Sequence, residues 1–220
     1  MRAGDLISDE IPTLEGSDSG LFAMQLLDEY KMTHLPVVEK NRLLGLISDT
    51  AVYEIDDHEK PLSEMREHLQ QIFVVQDRHV YDLVKTAADF HLSAVPIVDM
   101  NGSYVGVVSI YCLVRELSKI SAVNDPGAIV VLEVPEKDYS LSEIAQIVES
   151  DDARIISANV TSTPDSTKMD VTLKINRDNV DGILRSFQRY DYVVSASYRR
   201  EGYGSDLRDR YDELMRYLNT

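Results

Sequence analysis

The sequence predicts an α+β chain: one mixed unit written twice, then a separate βαββαβ unit and a closing helix. Three observations carry this. The segment His34 to Ser48, HLPVVEKNRLLGLIS, returns in altered form from Ala94 to Ser109 as AVPIVDMNGSYVGVVS, with Pro36 matching Pro96 and Gly45 matching Gly106. An apolar stripe at helical spacing precedes each copy. Beyond residue 128 the pattern changes to alternating strands divided by two capped helices.

In the first copy Ile11 to Leu14 reads as a leading extended segment. Ala23, Leu26, Leu27 and Tyr30 then fall at i, i+3, i+4 and i+7, one face of a helix. Two short apolar runs flank the charged turn EKNR and should pair as strands, followed by a second helix. The second copy repeats this with Ile72 to Val75 leading and Val80, Leu83, Val84 and Ala87 as the stripe; its turn, DMNGS, is one residue longer. The expected boundaries are residues 1–60 and 61–122.

The rest, residues 128–200, is introduced by the turn-forming Asn124-Asp-Pro-Gly127. Ala128 to Val134 reads as a strand. Ser140-Leu-Ser-Glu143 is a capping box opening a helix with Leu141, Ile144, Ala145 and Val148 on one face. Ile155 to Val160 and Met169 to Ile175 read as strands, with Val171, Leu173 and Ile175 alternating against Thr172 and Lys174. Asp178 is placed to cap a helix whose stripe is Val180, Ile183, Leu184 and Phe187, and Tyr192 to Tyr198 closes the unit. Over residues 204–219, Leu207, Tyr211, Leu214 and Leu218 make a single apolar stripe on a charged rod.

Composition narrows the function. The 220 residues carry 22 basic and 38 acidic side chains, a formal charge of −16. A polyanion such as nucleic acid is repelled by such a chain without a basic patch, and Arg199-Arg200 is too small to be one. Cys112 is the only cysteine, so no intrachain disulfide forms. The five histidines lack metal-ligand spacing. The first ten residues do not read as a leader, and no apolar run approaches the ~18 residues of a membrane span. The expectation is a cytoplasmic protein with neither a membrane nor a nucleic-acid partner.

An amphipathic helix, a Pro-containing apolar strand, a turn and a Gly-h-h-Ser strand end (h, apolar), all present twice in register, resemble a CBS-domain pair (a Bateman module) over residues 1–120. That resemblance implies two copies packed sheet to sheet with pseudo-two-fold symmetry around a cleft that commonly holds an adenine nucleotide. The βαββαβ order of residues 128–199 is ferredoxin-like and resembles an ACT domain, a regulatory module that often binds amino acids at dimer interfaces. Together the two resemble bacterial CBS–ACT proteins of the acetoin-utilisation type, in architecture only.

The resemblance puts the ligand-binding residues at His34, Leu35, Pro36, Ile47 and Ser48 in the first copy. In the second they are Ala94, Val95, Pro96, Val108, Ser109 and Cys112. An adenine ring needs flat apolar walls and a few backbone groups to read its edge. Proline lacks a ladder donor and favours edges and strand ends, which would leave peptide groups near His34 and Ala94 facing a ligand. The glycines allow close backbone approach. Ser48 and Ser109 fit first as caps of the helices that follow, and can also reach a phosphate or ribose oxygen. The family's motif usually continues to an aspartate that grips the ribose; here Ala51 and Cys112 stand at that spacing. The ACT-like loop Pro135-Glu-Lys-Asp-Tyr139 lacks the usual glycine, and its two acids repel a carboxylate.

No catalytic motif is present: no P-loop, nucleophile elbow, dinucleotide fingerprint or His-Glu-x-x-His. The expected function is therefore a non-enzymatic regulatory module. It would sense an adenosine-containing ligand (AMP, ADP, ATP or S-adenosylmethionine), form a homodimer and act on a regulated protein partner. The alternative is a structural adaptor dimer whose clefts bind nothing. Six tyrosines near the C-terminal end (Tyr190, Tyr192, Tyr198, Tyr203, Tyr211 and Tyr217) fit an interface and fit ordinary surface strands equally.

Overall fold

Hydroxyl caps and left-handed turns lay down the first repeat. In the computed structural model, which describes residues 1–162 and 166–199, Ser19 accepts from the Phe22 amide and opens α1 (Gly20–Glu29). The helix buries Ala23 and Leu27; Tyr30, expected on that stripe, is instead the exposed C-cap. The chain then turns through Lys31 at φ 53. Strands β2 (His34–Glu39) and β3 (Arg42–Ser48) are joined by Lys40 and Asn41, both at positive φ, as a two-residue hairpin turn requires. A short β1 (Leu14–Glu15) pairs in parallel with β2, giving the order β1-β2-β3, and Ser48 starts α2 (Asp49–Tyr53).

The second repeat is built alike: β4 (Val74–Val75), α3 (Val80–Asp89), β5 (Ala94–Val98), β6 (Tyr104–Ser109) and α4 (Ile110–Ile120). Its sheet order is β4-β5-β6. The copies agree in register: Leu14 faces Val37 as Val74 faces Ile97, and both hairpin ladders slip at one place, after Val37 and after Ile97. His91 makes the same left-handed turn as Lys31.

The prolines are not at sheet edges as expected: Pro36 lies in the central strand. Leu46, its partner across the ladder, exchanges both backbone hydrogen bonds with Gln70 instead (2.8 Å each). The Pro36 nitrogen therefore faces the side of β1, whose pairing starts only at Val37. A central strand tolerates the missing donor because its neighbour is too short to need it.

The two cores exchange their leading segments. Residues before β1 cross to the second repeat, where Ala3 and Leu6 pack with Val80, Leu83, Val108 and Leu113. Residues before β4 cross to the first, where Leu62, Met65 and Leu69 pack with Leu35, Val37 and Ile47. Backbone bonds fix both crossings: Gly4 donates to Gln76 (2.9 Å) and Ser8 to Val107 (3.1 Å), while Gln70 pairs with Leu46. Each repeat is completed by the chain leading into the other.

The chain divides into Met1–Leu117 and Ser118–Thr220. The second unit contains β7 (Ile129–Pro135), α5 (Leu141–Glu149), β8 (Ile155–Ser162), β9 (Lys168–Ile175), α6 (Asp181–Arg189) and β10 (Val193–Tyr198). Its antiparallel sheet has the order β10-β7-β9-β8, a ferredoxin-like arrangement. Ile144, Ile147, Val148, Ile183 and Phe187 of the helices cover Val130, Leu132, Val171 and Leu173 of the sheet.

Three local expectations change here. Only half of the capping box forms: Ser140 accepts from the Glu143 amide, but the Glu143 carboxylate accepts instead from the Tyr192 hydroxyl (2.9 Å). Burial and that carboxylate push the Tyr192 hydroxyl up to about 12. Leu141 is exposed, and Ile147 takes its place on the buried face. Asp178 does not cap α6; Asn179 accepts from the Asp181 amide. The helix expected over 204–219 lies outside the described residues.

Candidate functional site

The seam between the repeats starts from a single hydroxyl. The Ser93 Oγ, just ahead of β5, accepts from the backbone amides of both Thr33 (3.1 Å) and His34 (3.0 Å), just ahead of and at the start of β2. The two equivalent strand starts of the duplicated unit are thus tied to each other. On either side the same local bond recurs, Asp49 amide to Thr33 carbonyl and Ile110 amide to Ser93 carbonyl, each 3.0 Å. Farther along, the Tyr104 amide donates to the Asn41 carbonyl (2.9 Å), and the Tyr104 hydroxyl lies 3.0 Å from Thr13 Oγ1. Burial raises the Tyr104 hydroxyl above its ordinary value, opposed by the bond to Thr13.

His34 and Ala94 stand at the two strand starts, opposite Ser48 and Ser109. Both serines cap helices: Ser48 Oγ accepts from the Ala51 amide (3.1 Å) and Ser109 Oγ from the Cys112 amide (3.0 Å). Leu35, Ile47, Ala94, Val95 and Val108 are almost wholly buried, and Pro36 and Pro96 are buried with them. Cys112 is buried, and its Sγ donates to the Leu6 carbonyl (3.6 Å). Of the residues nominated from sequence, only His34 and Ser109 are part-exposed. The other nine are buried, backbone included.

The glycines have a reason the motif did not give. Gly45 sits at φ +150, and a Cβ there would come within 2.8 Å of Leu69 Cβ and 3.0 Å of the Gln70 carbonyl oxygen. At Gly106 a Cβ would run into Ile7. Both glycines admit the crossing segments, so the close backbone approach read from the sequence is made by the chain itself.

His34 is the titratable group of the seam. Its Nδ1 lies 3.0 Å from Thr33 Oγ1, and burial lowers its pKa against the raising effect of the Asp49 charge. A histidine lowered in the folded state is protonated more readily when unfolded. Its share of stability is therefore complete above its unfolded value, about 6.5, and is lost as pH falls through the lowered folded value. His34→Gln is expected to flatten the stability profile below pH ~6.5, and denaturant melts of both proteins across that range measure it. One proton limits the difference in slope to about 1.4 kcal/mol per pH unit.

Among the described residues no three His, Cys, Asp or Glu side chains converge as metal ligands, and no helix is long and apolar enough to cross a membrane. Thr33, Ser93, Thr13 and Tyr104 were not nominated from the sequence; isolated hydroxyls carry no spacing signal.

Comparison with known proteins follows the same division. The CBS domain profile matches residues 3–57 and 65–119. An uncharacterised protein from Methanocaldococcus jannaschii is 23% identical over 115 residues, 52% of this chain and 43% of that protein. The chain thus matches less than half the length of this curated relative. A CBS domain pair/ACT domain protein from Thermotoga maritima shares 14% identity over 54% of this chain and 98% of its own, with a TM-score of 0.49. The CBS-pair protein CBSX2 from Arabidopsis thaliana shares 21% over 55% and 96%, with a TM-score of 0.47.

Proposed function

Because the chain belongs to the CBS-domain family, carrying two such domains in tandem over residues 3–57 and 65–119, we propose that it is a non-catalytic regulatory protein whose paired repeats sense a small ligand. The ligand class is adenosine-containing: AMP, ADP, ATP or S-adenosylmethionine. The seam at Ser93 carries this reading. One hydroxyl holds two amides of the opposite repeat, so a molecule seated beside His34 and Ala94 changes how the repeats meet. A ligand acts as a regulator only through unequal affinity for two arrangements of the repeats.

The second unit is read as ACT-like, in keeping with its β10-β7-β9-β8 order. The arrangement as a whole is read as resembling CBS–ACT proteins of the acetoin-utilisation type in architecture, without their pathway. Aromatic residues exposed on the helices of the first unit, Phe22, Tyr53, Tyr81 and Tyr111, support a homodimer or a regulated protein partner. A structural adaptor is the competing reading. The burial of most nominated side chains favours it, as do Ala51 and Cys112 at the spacing of the family's ribose-binding aspartate.

Thermal shift separates the two readings. A ligand at 100 times its Kd stabilises its site by about 2.7 kcal/mol. The expected result is a rise in Tm with at least one of the four ligands at millimolar concentration. No shift with any of them leaves the adaptor.

A further inference from the structure

We propose that the C-terminal segment, residues 204–219, forms a helix that lies across the open face of the second unit's own sheet, the face turned away from α5 and α6.

That face carries an apolar strip where water should meet polar side chains. An antiparallel sheet covered on one side alternates apolar residues beneath the helices with polar ones toward solvent. β9 obeys this, with Thr172 and Lys174 between the buried Val171, Leu173 and Ile175. β7 does not. Val130, Leu132 and Val134 lie under the helices, yet the alternate positions Ile129 and Val131 are apolar too, and both are half-buried in a central strand. The register carries the strip onto β10, where Ala196 lies beside Val131 and Tyr198 beside Ile129. Tyr198 is 61% exposed. A central strand that is apolar on both sides reads as one covered on both. At one end the strip opens into a cavity of about 340 Å³ lined by Val123, Ile129, Lys174 and Tyr198.

The occupant is named by where the chain goes next. β10 ends at Tyr198, on the wall of that cavity, so the remaining residues start from the end of the strip. Gly202 and Gly204 permit a tight reversal there, and Ser205 is a favoured helix cap. Leu207, Tyr211, Leu214 and Leu218 then present one apolar stripe, which a short helix must bury to be stable in water. The lengths agree: sixteen residues of helix and the seven residues of β7 each span about 24 Å. Charge agrees as well. Lys174 is half-buried on the open face, with its Nζ bonded to the Gly127 carbonyl (2.8 Å) and to no carboxylate among the described residues. Asp206 and Asp209 begin the segment at that same end. A segment tethered a few residues from the strip meets it at an effective concentration on the order of millimolar, an advantage that a second copy lacks.

Paired cysteines in the full chain carrying Cys112→Ser test this. One is placed on the open face, as Val131→Cys or as Thr172→Cys on the neighbouring strand. The other is placed on the stripe, as Leu207→Cys, Tyr211→Cys, Leu214→Cys or Leu218→Cys, or on the opposite side of the helix, as Asp209→Cys or Arg216→Cys. A disulfide needs Cα atoms within about 7 Å, so only the side lying on the sheet can form one readily. Under mild oxidation of dilute protein, at least one stripe position is expected to close a disulfide within a single chain at least tenfold faster than either opposite-side position. Equal rates on the two sides, or no disulfide within the chain from either anchor, overturn the proposal. Disulfides that form mainly between two chains overturn it as well, and give the strip to a second copy.

Discussion

Gly45→Ala is expected to destabilise the first unit by about 3 kcal/mol. Two costs add. The backbone at φ +150 favours glycine, and holding another residue there costs about 1–3 kcal/mol. The new methyl also meets Leu69 Cβ and the Gln70 carbonyl, and overpacking a well-packed site costs about 1–3 kcal/mol. Scanning calorimetry reads the result as a fall of roughly 10–20 °C in the Tm of the transition belonging to the first unit. Gly106→Ala is expected to cost less, about 1–2 kcal/mol. Its obstacle is the Ile7 side chain rather than backbone, and Ile7→Ala in the same chain is expected to relieve the clash. A neutral Gly45→Ala contradicts the crossing of the leading segments.

Gly127→Ala is expected to cost more, about 4 kcal/mol, and to act on the second unit. Gly127 sits at φ +129, and a Cβ there would collide with the Ile175 carbonyl oxygen and lie 3.0 Å from its carbon. The neighbours are fixed. Ala128 donates to the Arg177 carbonyl (2.8 Å), Ile175 donates to Ala128 (2.9 Å), and Lys174 Nζ donates to the Gly127 carbonyl (2.8 Å). A backbone oxygen held on both sides cannot step aside as a side-chain tip can. The expected calorimetric outcome is loss or a large downward shift of the second unit's transition, with that of the first little changed. A single transition moving as a whole contradicts independent folding of the two units.

The duplication made most of the first unit legible. Matching prolines, glycines and stripes gave the repeat, and alternation at Val171, Leu173 and Ile175 gave a strand of the second unit. What stayed hidden is instructive. Residues 3–6 and 62–69 carry apolar side chains that satisfy either repeat equally, and only the three-dimensional arrangement decides which. The one signal is a glycine inside each apolar strand, which permits a close backbone approach without saying by what.

Helix stripes misled at their ends. Tyr30 and Leu141 fit the helical period, but one is the C-cap of α1 and the other the first residue of α5, and both are exposed. The site was partly legible: His34, Ala94, Ser48 and Ser109 lie at equivalent places along the seam. Ser93 was missed because what makes it a tie is two amides sixty residues back in the chain, and no local pattern records that.

The direct test of ligand sensing is amide hydrogen exchange with and without AMP, ADP, ATP or S-adenosylmethionine at millimolar concentration. At least one of these compounds should slow exchange at both strand starts, around residues 33–35 and 93–95, and at the helix starts after Ser48 and Ser109. Unchanged exchange there with all four compounds would mean that the contact between the copies is only a packing seam.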